Sequence, residues 1–261
     1  VPELIEVELY RLLAERVVGR AIEAVEAPDA WFVKGSTPTH VADALVGATV
    51  TGTDRRGKLL LVDLGVGRPV LGLRFGMTGR LVLDGEPPPI TELVYASGRD
   101  DPAWDRFAVR FGDGARLRIS DPRRLGGVEL DPALDRLGPD AASLTVGQLR
   151  SALEGSDVAV KARLLDQRRV AGLGNLLTDE VLWRAGIAPR RASSSLDGED
   201  VRRLAKEVRA TIRLLTARGG SHTGDLQEQR HRDGRCPRDG SELRRETVGG
   251  RTTYWCPAHQ R

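Results

Sequence analysis

Three groups of residues have the types and spacing to do chemistry. At the start of the chain stand Pro2 and Glu3. A proline at a free N-terminus carries a secondary amine, which attacks an aldehyde-like carbon to form an iminium. An α-amino group has a pKa near ~8 against ~10.4 for lysine, so far more of it is neutral at physiological pH. The Glu3 carboxyl beside it is placed to transfer protons. Val1 precedes Pro2, and Met77 is the sole methionine. Either the chain is a fragment, or valine stands for a non-standard start codon whose residue is removed ahead of the small Pro2. The second group is Cys236-x2-Asp239, sixteen residues, then Cys256-x2-His259. Two such pairs flanking a hairpin have the geometry of a zinc ribbon, with two ligands on each turn. Aspartate is a less usual structural ligand, and His231 is an alternative fourth. The third group is phosphate-seeking. In Gly172-Leu173-Gly174-Asn175, two glycines permit a tight turn and Asn175 is expected to cap the following helix, whose free N–H groups suit a phosphate. Lys161 and Arg163 stand ready to add charge. Arg55-Arg56-Gly57-Lys58 and Asp121-Pro122-Arg123-Arg124-Leu125-Gly126 are basic turns beside strands. Each feature alone is weak, since terminal prolines, helix turns and basic loops are mostly inert.

The elements that must hold these residues fall into three stretches. Residues 3–18 read as a helix, with Leu4, Val7, Leu12 and Val18 near a 3.6-residue period and Pro2 at its start. From about 20 to 130 the signals are short and β-like, at 48–53, 58–64, 70–75, 80–83, 106–111 and 116–119. Asp113-Gly114 marks a hairpin between two of them. A sandwich or partly closed barrel is expected. Helices are expected at 145–153, 157–166, 175–185 and 200–217, some with polar caps. The segment from His231 onward carries both cysteines and hairpin turns at Asp239-Gly240 and Gly249-Gly250.

Composition narrows the function class. The 261 residues are 40% apolar and 30% charged, which suits one large or two modest globular domains. No apolar run reaches the ~18 residues of a membrane helix, and no signal peptide is legible, so no membrane partner and a cytoplasmic placement are expected. Two cysteines make no disulfide scaffold. The net charge is +3 and the isoelectric point about 9.1, which permits a polyanionic partner. Lys34, Lys58, Lys161 and Lys206 are the only lysines among 40 basic residues.

Pro2-Glu3-Leu4-x-Glu6-Val7-Glu8, Lys58 in a strand turn, Met77-Thr78-Gly79, Asp121-Pro122-Arg123-Arg124, Gly172-Leu173-Gly174-Asn175 and the terminal ribbon occur in one order. That order resembles the formamidopyrimidine-DNA glycosylase / endonuclease VIII family of bacterial base-excision-repair enzymes, over essentially the whole chain. The resemblance implies an α+β fold. Its parts are an N-terminal helix with a two-layer β-sandwich (1–133), a helix–two-turn–helix domain (134–225) and a zinc-ribbon-like hairpin (226–261). It implies a bifunctional glycosylase and abasic-site lyase acting on damaged double-stranded DNA, a monomer associated with the bacterial nucleoid. Pro2 would attack C1′ of a flipped-out nucleotide, Glu3 would protonate the sugar ring oxygen, Glu6 would support proton transfers, and β- and δ-elimination would follow. Lys58, Asn175 and Arg251 would hold phosphates around the lesion, with Lys161 adding to the DNA-binding set. Met77, Arg123 and Leu125 would fill the gap left by the flipped base. One structural zinc would sit on Cys236, Asp239, Cys256 and His259. The alternative is a DNA-binding relative without catalysis. Five features depart from the family pattern. Ile5 replaces a proline, Leu125 a phenylalanine, and Asp239 and His259 two cysteines. The connection from Gly219 to Cys236 is also short, leaving little chain to cover a flipped purine and so favouring oxidised or ring-opened bases that leave the stack easily.

Overall fold

The computed structural model describes residues 2–90 and 99–261, so Val1 lies outside the described residues. The chain forms two compact units, Val1–Leu134 and Asp135–Arg261.

The first unit begins with α1 (Leu4–Ala14), followed by β1 (Ile22–Glu26), α2 (Pro38–Leu45), β2 (Gly52–Arg56), β3 (Leu59–Asp63), β4 (Leu71–Arg74), β5 (Arg80–Leu83), β6 (Asp105–Phe111), β7 (Arg116–Ser120) and β8 (Gly127–Leu130). Two antiparallel four-stranded sheets result, ordered β1-β6-β7-β5 and β2-β3-β4-β8. Their apolar faces share one core, to which Ile22, Leu81, Phe107, Val109 and Ile119 contribute from one sheet and Leu60, Val62, Leu73 and Val128 from the other. β3 is buried on both faces from Leu59 to Val62 and packs against α1, which explains why it reads as a continuous apolar run rather than an alternation. The helix expected over 3–18 stops as an α-helix at Ala14, tightens into a 3₁₀ turn at Glu15–Val17, and ends at Gly19 with φ +86°. α2 starts where Thr37 accepts from the His40 N–H and Pro38 occupies the first turn.

In the second unit, α3 (Val146–Leu153), α4 (Val160–Leu165), α5 (Asn175–Ala185) and α6 (Gly198–Ala217) precede the hairpin of β9 (Arg244–Val248) and β10 (Arg251–Trp255). Thr145 and Gln148 form a reciprocal capping box on α3, and Asp197 caps α6 by accepting from Glu199 and Asp200. α5 ends at Gly186, whose φ of +66° gives the left-handed C-cap. The hairpin packs on α5 within this unit. Gly174, not Asn175, is the N-cap of α5, because its extended backbone (φ −117°, ψ −166°) precedes the first helical residue. Asn175 is already inside the first turn, which leaves its side chain free to reach sideways.

Candidate functional site

Pro2 is buried directly ahead of α1, and Glu3 is the helix N-cap. The Glu3 N–H donates to Glu6 Oε2 at 2.8 Å, and the Glu3 carboxylate accepts in return from the Glu6 N–H. Both acids are buried, 0% and 1% exposed. Two carboxyls are thereby held beside Pro2 at the positive end of a helix dipole, where negative charge is favoured. Tyr10 lies one turn beyond Glu6. Burial, reinforced by the Glu6 charge, pushes its phenol far above the usual tyrosine range, so the hydroxyl stays protonated and donates to the Gly79 carbonyl at 3.2 Å.

Lys58 is half-buried in the two-residue turn between β2 and β3, where Gly57 takes φ +59°. Arg55 braces that turn. It donates to the Gly57 carbonyl at 2.8 Å and pairs with Glu8 of α1 at 3.0 Å. Glu8 also pairs with Arg11 at 2.8 Å, so α1 and the lysine turn are fastened together.

Asp121 organises a second feature. It is fully buried; one oxygen accepts from Thr78 Oγ1 at 2.6 Å and from the Arg123 N–H at 3.2 Å, the other from the Gly126 N–H at 2.8 Å. These bonds join the 76–79 loop to the 121–126 loop. The approach is close enough that a Cβ on Gly76 would lie 2.5 Å from the Leu125 carbonyl carbon. Met77 is half-buried, Arg123 exposed and Leu125 51% exposed, so Leu125 is no core residue. Arg124, at φ +56°, pairs with Asp29 through two contacts of 2.6 Å. This pair holds the Asp29 carboxyl below its ordinary range.

In the second unit, Asn175, Asp179 and Trp183 recur every four residues and so share a face of α5. Asn175 Nδ2 donates to the Thr252 carbonyl at 3.0 Å on β10. Lys161 corrects the sequence expectation of a surface cation. It is 0% exposed, and its ammonium lies 2.6 Å from Asp179 Oδ1 and 2.6 Å from Thr253 Oγ1. An ammonium desolvated and paired in this way holds the hairpin to the helices and does not face solvent phosphates. Arg230 also pairs with Asp179. Arg251 is exposed at the start of β10, after Gly249 and Gly250 with φ +58° and +72°, the signature of a type I′ turn. A Cβ on Gly249 would lie 2.9 Å from Ala162 Cβ, so the hairpin tip sits against α4 only as glycine.

Cys236, Asp239, Cys256 and His259 offer ligand atoms that all lie within 4.8 Å of one another. Cys236 Sγ is 3.6 Å from His259 Nδ1, Cys256 Sγ is 3.4 Å from Asp239 Oδ2, and His259 Nδ1 is 3.2 Å from that same oxygen. Tetrahedral bonds of about 2.0–2.3 Å require edges of roughly 3.3–3.8 Å, so the set fits a small borderline-soft cation. The Ser241 N–H, at 2.9 Å, holds the Asp239 carboxyl well below the usual carboxylate range. Burial pushes the Cys256 thiol up. His259 Nε2 faces the Trp183 carbonyl at 3.1 Å, which fixes the proton there and leaves Nδ1 as the ligating nitrogen. His231 is exposed, its Nδ1 2.6 Å from the Arg232 carbonyl, and stands outside the cluster, so Asp239 is the fourth donor.

Sequence reasoning passed over Asp29, Asp179, Glu180, Trp183 and Arg230. Only the positions of Asp179 and Trp183, four and eight residues after Asn175, could have signalled any of them. Glu180 is buried and accepts from the Asp225 and Leu226 N–H groups at 3.1 and 2.9 Å, tying the short connection after α6 onto α5.

Residues 1–128 match the formamidopyrimidine-DNA glycosylase N-terminal domain, and residues 137–226 match the H2TH domain of the same family. The chain is 36% identical to a formamidopyrimidine-DNA glycosylase of Paracoccus denitrificans, with 99% of each covered. It is 33% identical to that of an Exiguobacterium species, with 98% of each covered. Among solved structures, it superposes on a Lactococcus lactis relative in complex with abasic-site DNA at a TM-score of 0.83, with 28% identity and 99% of each chain covered. A complex of the Lactococcus protein with DNA containing a formamidopyrimidine lesion gives 0.83 and 29%, again over 99% of each.

Proposed function

Because the chain belongs to the formamidopyrimidine-DNA glycosylase family of base-excision repair, we propose that it excises oxidised or ring-opened bases and then cuts the strand, with the Pro2 nitrogen as nucleophile. The observation that carries this reading is the pair of buried carboxyls, Glu3 and Glu6, locked beside Pro2 at the start of α1. With the Pro2 nitrogen a free secondary amine, its lone pair forms a bond to C1′ of the flipped nucleotide. The glycosidic bond breaks and its electron pair leaves with the base. Glu3 gives a proton to the ring oxygen as the sugar opens, nitrogen loses its own proton, and an iminium links Pro2 to C1′. The iminium acidifies C2′, so loss of that proton expels the 3′ phosphate by β-elimination. A second elimination expels the 5′ phosphate, and water frees Pro2. Glu6 holds the Glu3 backbone in place through this sequence.

Lys58, Asn175 and Arg251 grip phosphates, which position the duplex without reading its sequence. Asn175 has a second amide hydrogen beyond the one given to Thr252. Met77, Arg123 and Leu125 enter the stack, offsetting part of the cost of extrusion. Cys236, Asp239, Cys256 and His259 hold one zinc ion, which serves as a structural tie between the two turns of the hairpin. The chain works as a monomer on nucleoid DNA in the cytoplasm; no helix among the described residues is long and apolar enough to cross a membrane. The connection after α6, tied down by Glu180, leaves little chain to enclose a purine. Excision of 8-oxoguanine opposite cytosine is therefore expected to be slower than that of ring-opened bases or saturated pyrimidines. A panel of single-lesion duplexes compared by single-turnover rate tests this, and 8-oxoguanine as the fastest substrate would reverse it.

Borohydride trapping on a duplex with an abasic site tests the nucleophile. The parent should form a covalent complex and Pro2→Gly should trap far less. Glu3→Gln should lose base excision while still cleaving a preformed abasic site. Equal trapping by Pro2→Gly would make another amine the nucleophile and overturn the Pro2 assignment, whereas a native protein whose Pro2 nitrogen is held in an amide bond to Val1 would leave a DNA-binding relative without this chemistry.

A further inference from the structure

We propose that Trp183 is a positioning residue of the metal centre, using its side chain to hold one ligand and its backbone to hold another. The inference rests on the metal-binding reading of the four-residue cluster. The Trp183 indole N–H donates to Cys236 Sγ at 3.3 Å. Its carbonyl lies 3.1 Å from His259 Nε2, and its ring meets the His259 ring edge-on at 6.0 Å between centroids. Each contact answers a local need. Trp183 is 5% exposed, packed with Leu226, Leu243 and both cysteines, and a buried indole N–H without a partner is costly. The carbonyl lies in the last turn of α5, where helical carbonyls lack intrahelical donors. It receives the Gly186 N–H at 3.2 Å and has a second lone pair for the imidazole.

The two contacts act on the ligands differently. The indole N–H stabilises negative charge on the Cys236 sulfur and fixes its direction. Guanidinium groups of Arg238 and Arg184, 5.0 and 5.7 Å from the indole centroid, draw charge from the ring and strengthen the N–H as a donor. The carbonyl fixes the His259 tautomer, so Nδ1 turns its lone pair toward the other three ligands. An apolar residue would fill the same core volume and would keep the carbonyl, but not the N–H···S bond. Helix α5 therefore presents Asn175 to the hairpin at one end and the metal knuckle's support at the other, on one face four residues apart at each step.

The test uses the full chain and three cations. Zinc affinity is measured by competition with a chromophoric chelator, and the cobalt-loaded protein reports sulfur-to-metal charge transfer. Trp183→Phe should bind zinc roughly 10–100-fold more weakly, and its charge-transfer band should move to lower energy because the sulfur lone pairs lose a stabilising donor. Leu182→Ala, which cuts the same helix's core without touching a ligand, should leave the band in place. In the parent loaded with the spin-active cadmium isotope, the Trp183 indole proton should show a through-bond splitting from the metal, a readout that needs no variant to fold. A parent that takes up no zinc, cobalt or cadmium overturns the metal centre itself. A loaded parent with no indole splitting, or a Trp183→Phe protein with unchanged affinity and band, overturns the role of Trp183 and leaves the centre standing.

Discussion

Removing the Asp121 carboxylate should cost stability and, with it, the geometry of the wedge. Asp121→Ala strands the Thr78 hydroxyl, 2% exposed, and the buried Gly126 N–H, besides the partly buried Arg123 N–H. A buried donor left unmade costs about 1–3 kcal/mol. The hydroxyl can rotate and the Arg123 amide can reach water, so the sum should be about 2–5 kcal/mol, a large share of a typical 5–15 kcal/mol. Asp121→Asn keeps one acceptor for Thr78 but turns an NH2 toward the Gly126 N–H, and about 1–3 kcal/mol should be lost. Equilibrium urea unfolding reads the shift in midpoint at constant slope. Because both loops carry the side chains expected to enter the stack, single-turnover excision should fall more than affinity for an undamaged duplex. A double-mutant cycle with Thr78→Val should give a coupling of about 0.5–3 kcal/mol. Zero coupling, or an Asp121→Ala protein within 0.5 kcal/mol of the parent, would refute the clamp.

Asn175→Ala and Arg251→Ala should weaken binding alike across sequences and lesions, and Arg251→Ala should flatten the salt slope by about one; a changed sequence preference at constant slope would contradict phosphate contact. Lys161→Met should destabilise by about 3 kcal/mol, the low end for a broken buried pair because Arg230 still pairs with Asp179. Its salt slope should equal the parent's in titrations of a lesion duplex. The lowered Asp29 carboxyl, from an ordinary value of 3.8, contributes stability that is complete above that value and is lost as pH falls through the folded pKa. Acid unfolding of Asp29→Asn should lack that component, and an identical pH profile would show the Arg124 pair to be idle.

Much of this protein was legible in one dimension because the signals are local. The two Cys-x2 pairs, the Asp113-Gly114 and Gly249-Gly250 turns, and the helical periods of α5 and α6 depend on residues a few positions apart. Pro2 at the start of the first helix, with Glu3 beside it, was likewise legible, whereas the reciprocal bonding of Glu3 and Glu6 is a finding of the structure. What the sequence left open depends on distant partners. Lys161 and Arg251 are both cations near basic segments, yet one is buried against Asp179, eighteen positions on, and the other is exposed. Burial is set by how α4, α5 and the hairpin pack, which no local pattern encodes. Asp239 was the expected fourth ligand and His231 its alternative, and only the fold shows one within reach of the other donors and the other outside their cluster. The direction of Leu125, a residue type at home in a core, was decided by a fully buried Asp121 whose three donors come from two loops. Charge pairing and exposure are properties of neighbours in space, and there the tertiary structure alone decides.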